Sequence, residues 1–114
     1  MTTDRELLEM AAKAAGIRVG YWLGEEMQIH FFSPDPDESM EIEWNPLTDD
    51  GDALRLAVKL GMVVEVDTTD EITRIRDFDY GEVLLVNMHF ACDPYAATRR
   101  AIVRAAAEIG RSMK

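Results

Sequence analysis

The chain has 114 residues, the usual size of one domain, and its 47% apolar and 30% charged residues are typical of a folded globular unit. Its single cysteine excludes an intramolecular disulfide and favours a reducing cytoplasm, and neither a signal-peptide pattern nor the ~20-residue apolar run of a membrane helix is present. The net charge of −10 repels phosphate groups, so direct binding to nucleic acid is disfavoured.

The first predicted helix covers residues 3–15. Thr3 and Glu6 have the spacing of a capping box, and Gly16 is a natural stop. Apolar side chains recur along the segment at helical spacing, which predicts one stripe that needs a covering partner. The stripe consists of Leu7, Leu8, Met10, Ala11, Ala14 and Ala15.

Three strands are predicted next. In residues 17–23 and 27–32 apolar side chains either follow one another or alternate with polar ones, which predicts two strands. Residues 24–26 are suited to a hairpin turn between them. Two prolines and polar neighbours predict a loop at residues 33–39. A short strand follows, with Met40, Ile42 and Trp44 alternating with Glu41 and Glu43.

A second helix is predicted after Asn45 and Pro46 end that strand. Thr48, Asp49 or Asp50 is its expected cap, and the helix continues to Leu60, where Gly61 ends it. The expected buried stripe consists of Ala53, Leu54, Leu56, Ala57 and Leu60.

The second half repeats the order of strands and helix. Residues 62–66 and 73–78 are predicted strands, and residues 79–81 are a predicted turn. Residues 82–90 are apolar almost throughout, which is typical of a central strand covered on both sides. Asp93 and Pro94 begin the last helix, which continues to about Arg111. Its expected packing face consists of Ala101, Ile102, Ala105, Ala106 and Ile109.

This order predicts a single α/β (α+β) domain over residues 1–114. Hairpin-length connections favour an antiparallel or mixed sheet, and three amphipathic helices must cover it. We therefore expect a layered α/β/α sandwich in which helices pack on a sheet.

Three segments of the chain resemble one known family. Residues 44–60, WNPLTDDGDALRLAVKL, resemble the central signature of the phage ABA sandwich domain family. Residues 97–110 are similar to the last helix of that family, and residues 6–11 to its first helix. The resemblance implies a small tailed-phage or prophage protein with helix, sheet and helix layers, located in the host cytoplasm. It implies no catalytic activity.

Residues 44–52 form the first candidate site. Trp44, Asn45 and the carboxylates of Asp49, Asp50 and Asp52 have the residue types of a recognition loop or of a site for a hard cation. The alternative is structural, with Trp44 in the core, Asn45 in a turn and the aspartates capping a helix. The spacing excludes an EF-hand, and no metal site or cofactor is predicted.

The middle of the chain is strongly acidic. Residues 25–82 contain 17 acidic and four basic side chains, a balance of −13, whereas residues 95–114 have a balance of +4. Glu41 and Glu43 share a predicted strand face, and Asp37 lies in the preceding loop. These carboxylates predict an acidic surface for a basic protein partner, and their alternative role is to keep a solvated face soluble.

Two further constellations involve the histidines. His89, Cys92 and Asp93 have the residue types of a thiol nucleophile pair, although three-residue spacing at a strand end does not make His89 and Cys92 face each other. His30 and His89 lack the local spacing of a zinc site.

A non-catalytic accessory protein that binds another protein, such as a host factor, is therefore the leading functional prediction. One alternative is a virion or assembly component that self-associates through the alanine-rich last helix or a strand edge. The other is a thiol enzyme or hydrolase that uses His89 and Cys92.

Overall fold

The protein has an α+β fold in the order helix, three strands, helix, three strands, helix. The structure, a computed structural model, describes residues 3–17, 19–23, 26–31, 40–77 and 83–113. The helices are α1 (Asp4–Ala15), α2 (Asp50–Leu60) and α3 (Pro94–Ser112). The strands are β1 (Val19–Leu23), β2 (Glu26–Phe31), β3 (Met40–Trp44), β4 (Met62–Asp67), β5 (Ile72–Asp77) and β6 (Val83–His89). The predicted fold class and element order are confirmed.

The helix ends follow from local chemistry. The Thr3 hydroxyl accepts from the Glu6 amide at 3.2 Å, and Asp93 accepts from the amides of Tyr95 and Ala96 at the start of α3. Gly16 and Gly61 end α1 and α2 in the left-handed region, with φ of 70° and 63°, where a side chain would be strained. These caps confirm the predicted starts and stops.

The strands form two antiparallel sheets among the described residues. One sheet has the order β1-β2-β3 and the other β4-β5-β6. The expectation of a single sheet is wrong, because each run of three strands folds back on itself and α2 separates the two runs. The strand predicted at residues 82–90 is an edge strand, and β5 is the central one, with Ile75 and Thr73 fully buried. Of the hairpin turn predicted at 24–26, residues 24 and 25 lie outside the described residues and Glu26 begins β2. The segments predicted at 33–39 and 79–81 also lie outside the described residues.

Helix α3 is the central element of the core. Helix α1 packs along it, and β5, β6 and α2 pack on its other sides. The predicted packing face is buried or partly buried, and further positions of α3 are buried as well. These are Ala97, Val103, Ala107 and Gly110. The prediction that this helix offers an interface for self-association is therefore wrong, since its alanine-rich surface is already covered.

Sheet β1-β2-β3 is fastened to α1 by Trp22. Its indole nitrogen donates to Glu9 at 3.1 Å, and the Arg5 guanidinium lies 4.3 Å from the centre of its ring. Met27 of β2 and Trp44 of β3 enter the same hydrophobic cluster as Leu8 of α1. Both sheets thus share one core.

Candidate functional site

The predicted recognition segment lies where β3 leads into α2. Trp44 ends β3 with 5% of its surface exposed and belongs to the hydrophobic core. Its large apolar ring stabilises the core there. Because it is buried, it cannot contact a partner. For Trp44 the structural interpretation is the one that the fold supports.

Asn45 organises the turn between β3 and α2. Its side-chain oxygen accepts from the Leu47 amide at 3.0 Å, and its carbonyl oxygen accepts from the Asp49 amide at 2.9 Å. Its own amide donates to Asp52 Oδ2 at 3.0 Å. Asparagine favours such turns because its short side chain reaches nearby amides. These bonds fix the entry angle of α2.

The three aspartates of this segment have three different roles. Asp49 is the N-cap of α2 and accepts from the Asp52 amide at 2.8 Å. Asp52 accepts from Asn45 and from Arg55, whose guanidinium lies 3.2 Å away. Asp50 accepts from Arg99 of α3 at 2.7 Å. Asp50 therefore forms an ion pair with an arginine of the basic last helix, which compensates its charge.

An open depression lies beside this turn. It has a volume of about 330 Å³ and is lined by Glu43, Asn45, Thr48, Asp49 and Asp52. We call it the β3–α2 depression. Glu43 is exposed, and neither Glu43 nor Asp49 forms an ion pair with any described residue. Two uncompensated carboxylates thus border a polar surface that is open to solvent.

Ion pairs compensate more of the carboxylates in the acidic residues 25–82 than the net charge of that segment suggests. On the outer face of β4 and β5, Arg74 pairs with Glu65, Asp67 and Asp70, and Arg76 also pairs with Glu65. Hydrogen bonds from Arg74 and Arg76 lower the pKa of Glu65. The Asp70 amide, assisted by Arg74, lowers the pKa of Asp67. The net charge of a segment does not show which side chains face each other across neighbouring strands, because that depends on the strand register.

Two of the predicted acidic residues, Glu41 and Asp37, lie partly or wholly outside the described part of the chain. Glu41 lies on β3 opposite His30 of β2, but its side chain is outside the described part. Asp37 falls within residues 32–39, which are also outside it. Their contribution to an acidic surface stays a prediction.

Neither a metal site nor a hydrogen-bonded pair of His89 and Cys92 is present among the described residues. Within the described ranges, no three side chains of His, Cys, Asp and Glu are grouped so as to hold a metal ion. His89 and Cys92 are exposed and share no hydrogen bond, and the Asp93 carboxylate is occupied by the first amides of α3. The side chain of His30 lies outside the described part, so a pair with His89 stays untested.

Sequence reasoning missed one exposed apolar surface. Leu54 and Val58, four residues apart on α2, are 64% and 72% exposed. Leu54 was expected in the buried stripe, but that stripe consists of Ala53, Leu56 and Ala57, with Leu60 partly buried. The sequence contained a signal for this surface. Positions 54 and 58 form their own i,i+4 row on α2, more than a quarter turn around the helix from the row of Ala53 and Ala57.

The fold and this site together define an α+β protein with an acidic depression and an apolar helix face. No family model, curated protein or solved structure matches the chain. No helix in the described ranges combines the length and apolar character needed to cross a membrane.

Proposed function

We propose that this protein is a non-catalytic binding module that engages a basic surface of another protein at the β3–α2 depression. The observation that carries this proposal is the pair of carboxylates, Glu43 and Asp49, that have no cationic partner among the described residues at the border of the depression. Most other described carboxylates of the acidic middle are paired with arginines. Unpaired charge at one place favours a partner that supplies the opposite charge.

The rigidity of this surface supports the same proposal. Asp49 is held by its cap bond to the Asp52 amide, and Asn45 is held by bonds on both sides of its peptide. A carboxylate held in this way, as that of Asp49 is, loses little conformational freedom when an arginine or lysine of a partner arrives. The resemblance of residues 44–60 to a phage family adds the proposal that the module is an accessory protein of a phage or prophage, acting on a host protein.

The test compares two variants that remove equal charge. Glu43→Gln with Asp49→Asn removes both carboxylate charges that lack an ion pair, and asparagine still caps the helix. Asp70→Asn with Glu71→Gln removes two charges from the β4–β5 turn as a control. We expect a partner isolated from host lysate by the wild-type protein to bind the first variant about tenfold or more weakly and the control as before.

Binding to this partner should also weaken as salt rises, since the charges at the depression are exposed. Equal binding by both variants, or no specific partner at low or moderate salt, would contradict the proposal. The thiol-enzyme alternative has a separate test, because Cys92→Ala should then abolish the biological effect of the protein.

A further inference from the structure

Arg55 of α2 lies at the border of the β3–α2 depression. Its Nη1 atom donates to Asp52 Oδ1, one turn earlier on the helix, at 3.2 Å. A β-carbon on Gly51 would lie 3.2 Å from that Nη1 atom and 3.2 Å from Asp49 Oδ2. The guanidinium and the Asp49 carboxylate therefore lie side by side over Gly51. A cation of the chain itself is thus in place beside two of the carboxylates that line the depression.

The two members of this ion pair are held very differently. Asp52 is 17% exposed, and its second oxygen accepts from the Asn45 amide at 3.0 Å, so its carboxylate stays in place without the arginine. The Arg55 side chain is 77% exposed, and Asp52 is its hydrogen-bond acceptor in the described part of the chain. An exposed ion pair of this kind adds little to stability, so the guanidinium can leave at small cost.

An arginine in this position affects any cation that approaches from outside. It is tethered three residues from Asp52, so its effective concentration at that carboxylate is high. It also repels a second positive charge that approaches Asp49, because the two groups are adjacent. The carboxylates of the depression and the arginine beside them therefore have opposite effects on the affinity for a basic partner.

We propose that Arg55 is an internal competitor of the partner, and that it holds the Asp52 side of the depression until a basic side chain of the partner displaces it. The proposal rests on the function proposed above, because the competition exists only if the cation of the partner binds at the depression. An ordinary i,i+3 helix pair would affect only the stability of α2. The two roles of Arg55 differ in what its removal does to binding.

Binding of a peptide with two guanidinium groups, the sequence RGRG with blocked ends, tests the competition. NMR titration of the full chain at low salt should give a dissociation constant on the order of 1 mM, since the contacts are few and solvated. Arg55→Gln should lower this constant about threefold, an effect of the size that one exposed ion pair allows. Arg55→Lys keeps a cation beside Asp52 and should bind the peptide as the wild type does.

Lys59→Gln is the matched control. Lys59 is exposed, follows Arg55 by one turn of α2 and forms no ion pair with the residues that the structure describes. Its loss removes the same charge from a place further from the depression, so the affinity for the peptide should change much less than in Arg55→Gln.

The side-chain resonances report the displacement directly. The Arg55 Nε–H signal should move as the peptide is added, because the guanidinium leaves Asp52. The corresponding signal of Arg111 should stay in place, since Arg111 forms a similar exposed pair with Glu108 at the carboxyl end of α3.

The outcomes separate this proposal from the one on which it rests. Peptide binding that is weakened by Glu43→Gln with Asp49→Asn but unchanged by Arg55→Gln overturns the competition alone. An equal gain in Lys59→Gln, or an Arg55 signal that does not move, also overturns the competition alone. Binding that Glu43→Gln with Asp49→Asn leaves unchanged, or no binding at ~10 mM peptide, overturns the proposed site and the competition together.

Discussion

Gly110 of α3 faces the backbone of Met10 in α1 so closely that a β-carbon on Gly110 would overlap the Met10 carbonyl group. An added β-carbon would also lie 3.3 Å from the Ala14 amide nitrogen. This approach of two backbones explains why α1 packs directly on α3. Small residues at a helix crossing permit a short interaxial distance.

Gly110→Ala should therefore destabilise the protein, although alanine is the better helix former by about 1 kcal/mol. We expect the free energy of unfolding to fall by roughly 2–3 kcal/mol, because backbone atoms cannot move aside as a flexible side chain can. Chemical denaturation monitored by tryptophan fluorescence measures the change. A variant as stable as the wild type would show that the helices are further apart than described.

Thr73 and Thr98 share a hydrogen bond, and replacing one or the other by valine should lower the free energy of unfolding by different amounts. Their hydroxyl oxygens are 2.8 Å apart, and Thr73 is fully buried whereas Thr98 is partly exposed. Thr98→Val leaves the buried Thr73 hydroxyl without a partner, which costs about 1–3 kcal/mol of unfolding free energy. Thr73→Val should cost less, because Thr98 retains access to water. The double variant should cost less than the sum, and additive effects would contradict the shared bond.

Arg99 should matter more to stability than its neighbour Arg100. Arg99 donates to the Leu47 carbonyl oxygen at 2.9 Å and to Asp50, and so fastens the β3–α2 connection to α3. Arg100 forms only an exposed pair with Asp4. Arg99→Gln should lower the free energy of unfolding by about 1–2 kcal/mol, and Arg100→Gln by less than about 0.5 kcal/mol. Equal losses in denaturant titrations would refute this role of Arg99.

The carboxylates around Arg74 should give stability a dependence on acid pH. Folding lowers the pKa of Glu65 and Asp67, so the unfolded chain binds more protons as the pH falls. Their contribution is present above the ordinary carboxyl range near pH ~4 and is lost as the pH drops through the lowered values. Unfolding measured from about pH 6 to pH 2.5 should show this loss.

Arg74→Gln should flatten that pH profile, because it removes the leading hydrogen-bond donor to Glu65 and one of the donors to Asp67. Arg104→Gln is the control, since Arg104 of α3 forms no ion pair in the described ranges. An unchanged acid slope in the Arg74 variant would show that these two carboxylates do not produce it.

Much of the site depends on contacts between segments that are distant in the chain. The turn at Asn45 and the capping role of the aspartates follow from residue types, and both belong to the structural alternative predicted for residues 44–52. The neutralisation of Asp50 by Arg99 spans 49 positions, and no local pattern predicts it. Leu54 was misplaced for a similar reason, because periodicity shows that a helix has apolar rows but not which row the remainder of the chain covers.

The sequence by itself determined the α+β class, the order of helices and strands, and the caps at Thr3 and Asp93, because these depend on interactions between residues a few positions apart. It limited the cap of α2 to Thr48, Asp49 or Asp50, and the structure selects Asp49. Only the tertiary structure decided that the strands form two sheets, that α3 lies at the centre and that Leu54 and Val58 remain exposed. Those outcomes depend on which surfaces of distant segments pack together. The burial of a side chain is decided by all the helices and strands around it.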